Sequence, residues 1–126
     1  MKIENKNKFY HGSYKNFKDT SGYFIGQFMG QKGYPLLETE EVEIAYKKLP
    51  ADFGDETPHY HKKGVEINIV ISGSYKVWIQ AKEIELKKGN FLIVYPESEL
   101  KNISAEEGTE LIVIKSPSVP DDKFEK

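Results

Sequence analysis

Two of the chain's three histidines, His59 and His61, stand one residue apart, and a carboxylate, Glu66, follows five positions later. Side chains alternate faces along an extended segment, so both imidazoles point to one side, roughly 6–7 Å apart. Lys62-Lys63-Gly64 reads as a tight connection, and the returning strand can bring Glu66 beside the two rings. Two nitrogens and one oxygen converging from adjacent strands form part of a divalent-metal shell, with coordination positions left open for a substrate. His-X-His alone would equally describe two surface histidines ahead of a hairpin. The added glutamate, and glycines at 54 and 73 framing the run, favour a site.

The run Gly54-X4-His59-X-His61-X4-Glu66-X6-Gly73 resembles the first conserved motif of the cupin superfamily, with a leading spacer one residue shorter than usual. The second motif of that family begins with glycine, passes through an apolar strand to Pro-X-Gly, and ends in histidine. Here Gly89, the strand Phe91–Tyr95 and Pro96 match it, Ser98 replaces the second glycine, and Lys101 stands where the last histidine belongs. The resemblance spans about residues 40–115. It implies an all-β, single-domain jelly-roll barrel of the double-stranded β-helix type. It also implies a divalent metal in the barrel mouth and action on a sugar, hydroxy acid or similar polar metabolite. Isomerase, epimerase, lyase and dioxygenase chemistries all fall within that range.

Lys101 is the difficulty. An ammonium about 4 Å from a divalent ion is repelled by roughly 8 kcal/mol even at an effective dielectric near 20. Three arrangements avoid this. Lys101 reaches out to solvent; or Glu99, two residues earlier, supplies an oxygen instead; or no metal binds and Lys101 pairs with Glu66 in a non-catalytic ligand-binding or accessory barrel. The candidate ligands are thus His59, His61, Glu66 and Glu99, and Fe, Mn, Ni and Zn all suit such a set. Tyr46, Asn68, Trp78, Tyr95 and Lys101 are the candidate substrate-binding residues of the pocket wall.

The elements that must position these groups are read from alternation and turn residues. Strands are predicted at Ser21–Met29, Glu41–Tyr46, His59–His61, Glu66–Ile71, Tyr75–Gln80, around Ile84 and Leu86, at Phe91–Tyr95 as a buried strand, and at Leu111–Ile114. Turns about eight residues apart, with no sustained helical period, indicate a sandwich or barrel. The single domain divides into an aromatic-rich arm at 1–37, a barrel core at 38–115 and a tail at 116–126. The tail's prolines oppose strand pairing, and it offers no nameable chemistry.

If Glu66 faces the barrel mouth, Asn68 and Val70 share its face and Ile67, Ile69 and Ile71 point outward. Such an apolar ridge calls for a cover, either the aromatic arm or a second copy of the chain. A homodimer is therefore expected, as the resemblance also implies.

Composition excludes several classes. Among 126 residues there is no cysteine, which removes disulfides, thiol nucleophiles and cysteine-ligated zinc. All 18 basic residues are lysine, and they alternate with acids, so no basic stripe or guanidinium fork serves a nucleic acid. No stretch approaches the roughly 20 apolar residues that span a bilayer, and Met1–Lys8 has no apolar run behind it. A cytoplasmic location is expected.

Overall fold

The structure, a computed structural model, describes residues 8–54, 57–119 and 122–125; Met1–Asn7, Asp55 and Glu56 lie outside them. Among the described residues the strands are β1 (Tyr23–Ile25), β2 (Glu43–Lys48), β3 (His59–His61), β4 (Val65–Ser72), β5 (Ser74–Ile79), β6 (Lys82–Lys87), β7 (Phe91–Val94), β8 (Leu100–Ala105), β9 (Glu110–Ser116) and β10 (Lys123–Glu125). They form two antiparallel five-stranded sheets, in the orders β1-β2-β9-β4-β7 and β10-β3-β8-β5-β6. This is the expected all-β barrel. Only single-turn 3-10 helices accompany the strands, and no described helix is long and apolar enough to cross a membrane.

Packing divides the interior lengthwise. Leu49, Val70, Tyr75, Val77, Leu86 and Leu111 form one buried apolar cluster. Toward the other end the inward positions turn polar. Along β4 the inward row is Glu66, Asn68 and Val70, while Ile67, Ile69 and Ile71 face out, as alternation predicts. Cross-strand register then sets whole rows of side chains at one level: Glu66 and Glu43 each lie opposite Lys115 of β9, and Asn68 lies opposite Val113.

Four expectations are corrected. The strand expected over Ser21–Met29 is only β1, because the chain turns at Gly26, whose carbonyl accepts from Met29 N–H. Phe91–Tyr95 is not a buried strand. It holds the edge of its sheet, with Phe91 67% exposed and Tyr95 60%. β8 was not predicted, since Lys101, Asn102 and Ser104 break any apolar run. Finally, the tail does pair: β10 lies antiparallel to β3, with Phe124 opposite Tyr60 and their rings stacked at 5.7 Å. Pro117 precedes this strand rather than interrupting it.

The aromatic arm packs outside β1 and β2. Tyr14 lies 5.1 Å from the Tyr46 ring, and Phe17 contacts Phe24 and Tyr34.

Candidate metal centre

β3 carries His59 and His61 inward with Tyr60 between them facing out, the pattern a three-residue strand imposes. The two rings meet edge to face with centroids 5.6 Å apart. The turn at Lys62–Gly64 reverses the chain, and Glu66 arrives from β4 with its Oε1 3.1 Å from His61 Nε2. One ligand atom from each of His59, His61 and Glu66 lies within 4.8 Å of the others, and all three residues are buried. Donors bound to one divalent ion at about 2.0–2.2 Å sit roughly 3.0–3.4 Å apart, so the His61–Glu66 spacing already suits a shared ion.

The supporting contacts fix both ligands. Asn68 Nδ2 donates to Glu66 Oε2 at 2.9 Å. His61 Nδ1 donates to the backbone carbonyl of Asp122 at 2.8 Å, which reserves Nε2 for the site. The Asp122 carboxylate in turn accepts N–H groups from Lys62, Lys63 and Gly64 at 2.8–3.1 Å, pinning the turn between the ligand strands. The tail therefore does touch the candidate site, through Asp122. Farther along, Gly54 has φ 114°, and a Cβ there would strike the backbone of Ile103, so only glycine lets this loop close against β8.

Electrostatics agree with the geometry. Burial pushes the Glu66 carboxyl upward, but hydrogen bonds from His61 and Asn68, with Lys115 nearby, outweigh it and bring its pKa down to about 2. The hydrogen bond to Glu66 raises the His61 pKa against burial. Both partners of His61 are acceptors, so satisfying both requires a proton on each ring nitrogen. A metal held at Nε2 would replace one of those protons and leave the bond to Asp122 in place. Burial raises the pKa of Glu43. Lys115 is disfavoured by burial, yet Tyr23, Glu66 and Glu43 hold its pKa above the ordinary lysine value.

The triad opens onto a cavity of about 250 Å³ whose wall includes Asn68, Tyr75, Asn102, Tyr23, Lys47 and Lys115. Of the residues singled out from sequence, His59, His61, Glu66 and Asn68 meet there. Glu99 sits just ahead of β8 and belongs neither to the ligand cluster nor to the cavity wall. Tyr46 points outward, its hydroxyl 2.6 Å from Glu110. Tyr95 is exposed beyond β7. Trp78 and Lys101 lie opposite each other across β5 and β8, out of phase with inward Val77 and Leu100. Lys101 thus faces away, and its expected pairing with Glu66 is replaced by the contacts to His61 and Asn68. The inward neighbour at this level is Asn102. The cations that do line the cavity are Lys47 and Lys115; Lys115 follows the strand expected to end at Ile114, and neither it nor Tyr23, Glu43, Lys47, Tyr75 or Asp122 is among the residues singled out from sequence for the site. A charged residue closing a β9 run in phase with inward Leu111 and Val113 was the available signal for Lys115.

The model of the Cupin domain family matches residues 47–114. Among curated proteins none matches the chain. Solved structures share the fold, three of them as follows. KdgF from Halomonas sp. is 20% identical over 66% of this chain and 74% of its own, with TM-score 0.60. The Streptomyces protein Pac13, a nucleoside dehydratase, is 10% identical over 70% of each chain, with TM-score 0.61. A cupin protein from Bacteroides fragilis is 24% identical over 71% of this chain and 76% of its own, with TM-score 0.56.

Proposed function

The chain belongs to the cupin family, and from that premise we propose that it binds a divalent metal ion through His59, His61 and Glu66 and acts on a small polar metabolite. The observation that carries this reading is the convergence of three buried donors within 4.8 Å, two of them already 3.1 Å apart. When bound, such an ion supplies Lewis-acid polarisation of a carbonyl or hydroxyl oxygen. The protein's own groups do the rest. Asn68 orients the Glu66 carboxylate, Asp122 holds His61 in one ring orientation, and the strands around the cavity limit access of water to the site. One relative in fold, the nucleoside dehydratase Pac13, is an enzyme built on this barrel, which supports a catalytic role here.

Metal analysis of protein purified without added metal tests the reading. His61→Ala is expected to abolish metal retention while leaving the fold nearly intact, because the apolar cluster lies toward the other end of the barrel. Wild-type protein without bound metal, in buffers supplied with Mn, Fe, Ni or Zn, would sink the proposal.

We further propose that the protein is a homodimer. Ile69, Phe91, Ile93 and Tyr95 expose a contiguous apolar surface on β4 and β7, while the aromatic arm packs at the β1 and β2 side of the sheet instead.

A further inference from the structure

The cavity wall holds groups that the metal ligands do not use. Tyr75 is 2% exposed, its side chain borders the cavity, and its buried hydroxyl has no hydrogen-bond partner within the protein. A buried hydroxyl left so is costly unless something arriving in the cavity completes it. At the mouth, Tyr23 stands between two ammonium groups: Lys115 Nζ lies 3.4 Å from its hydroxyl, and Lys47 Nζ lies 4.8 Å from its ring centroid. Lys47 is further held by the Ser21 carbonyl at 2.7 Å.

Charge gives the next step. Lys47 and Lys115 on the wall are formally balanced by Glu66 there and by Glu43, which lies across the ladder from Lys115, so a divalent ion on the triad leaves its whole charge for a ligand to neutralise. Among the described residues the cavity is lined by strands and by Leu49 and Phe53 of a loop, with no helix N-terminus to cradle a phosphate, and the chain has no arginine. At about 250 Å³ it lies below the roughly 300–1,000 Å³ that holds drug-sized ligands.

We infer that the cavity takes a small carboxylate that also carries a hydroxyl or carbonyl oxygen, with the carboxylate against Lys115 and Lys47 and the second oxygen within reach of Tyr75. This rests on the metal reading above, because the charge argument counts the ion. Lys115 and Lys47 act as specificity-determining residues. Neutral sugars and amides of the same shape leave the excess positive charge of the metal-loaded cavity unbalanced.

The test uses the full chain with its Mn²⁺ content measured, and compares glucuronate with glucose and lactate with lactamide by calorimetry and thermal shift. Both acids are expected to bind and to stabilise, each at least about tenfold tighter than its neutral counterpart. Lys115→Met and Lys47→Met should each weaken the acids roughly ten- to hundredfold without loss of bound Mn²⁺. Tyr75→Phe, which removes a single oxygen, should weaken lactate while preserving its preference over lactamide. If Lys115→Met does not fold, Lys47→Met at the mouth carries the same question. Equal binding of acids and neutral analogues, or an acid preference that survives both lysine variants, overturns the inference while leaving the metal site standing. Acid preference in protein that retains no Mn²⁺ overturns the metal reading instead, and leaves the carboxylate site. Failure of both measurements removes both.

Discussion

β4 and β5 are joined by one residue, Gly73, yet they bury opposite chemistry. β5 turns Tyr75 and Val77 inward and leaves Lys76 exposed, the ordinary arrangement of a half-buried strand. β4 turns Glu66 and Asn68 inward, at 8% and 6% exposure, and sends Ile67 and Ile69 outward. Burying a carboxylate and an amide is costly unless both are hydrogen-bonded, and here Asn68 donates to Glu66, which is also bonded to His61. The inversion runs along the barrel axis: the inward row of β4 passes from Glu66 through Asn68 to Val70, which joins the apolar cluster. One end of the barrel holds the apolar cluster, the other the candidate site. The two should therefore be separable by mutation.

The largest expected effect breaks the β5 end. Leu86, on β6 beside Tyr75, is 5% exposed and sits in the apolar cluster. Leu86→Ala should destabilise the fold by about 2–5 kcal/mol through lost burial and a residual cavity. Each kilocalorie per mole corresponds to about 4 °C in the thermal midpoint for a domain near this size. Metal content measured well below the midpoint should not change. A parallel loss of metal would mean that the two ends are mechanically one.

Next comes a change at the site end that touches no ligand side chain. Asp122→Ala removes the carboxylate that pins Lys62, Lys63 and Gly64, and loosens the carbonyl that orients His61. Metal affinity should fall roughly 10–100-fold, the usual effect of losing an outer-shell partner, with a smaller change in folding stability than Leu86→Ala. Competition with a chelator of known affinity measures it. An unchanged affinity would show that β10 positions nothing.

The sequence made the ligand end legible because it rests on local alternation. His59 and His61 share a face in any strand, and a three-residue turn returns Glu66 to them. It did not reveal the phase of β8. Counting along the second motif puts residue 101 at the ligand position, where glycine is expected at 98. The left-handed turn residue here is instead Glu97, with φ 68°, one position earlier. β8 then pairs Leu100 with His59, which turns Lys101 out and Asn102 in. Neither a turn conformation nor a long-range register is written in a motif count. The role of Asp122 was illegible for a related reason: it depends on pairing between strands more than fifty residues apart, while the neighbouring prolines suggested that no pairing occurs.

A pH series sharpens the contrast further. Glu66, with a folded pKa of about 2 against an ordinary 4.5, contributes stability that is full above about 4.5 and lost as pH falls toward 2. His61, raised above its ordinary 6.5, contributes stability that is full below 6.5 and lost as pH rises through the raised value. In chelator-treated protein the pair therefore supports the fold between those limits. Glu66→Gln should remove the acid limb, visible as a flatter thermal midpoint between pH 4.5 and 2. With metal present the alkaline limb should reverse, because deprotonating His61 favours binding. Identical profiles with and without metal would separate His61 from the ligand set.

The smallest effect on folding belongs to the outward side of the inverted strand and its neighbour. Phe91 lies opposite Ile69 across the β4–β7 ladder, and its side chain is 67% exposed, so little of its burial is tied to the folding of one chain. Phe91→Ser should change the stability of the isolated subunit by no more than about 0.5 kcal/mol and leave metal binding as it was. Sedimentation should nonetheless fall from dimer to monomer, since a large exposed aromatic within an apolar patch is where association free energy concentrates. A wild-type chain that sediments as a monomer at high micromolar concentration would mean that the outward isoleucines of β4 are covered by no second copy. The inversion would then serve the inner face alone, with the apolar ridge the cost of keeping β-branched residues in a strand whose inward positions are reserved for Glu66 and Asn68.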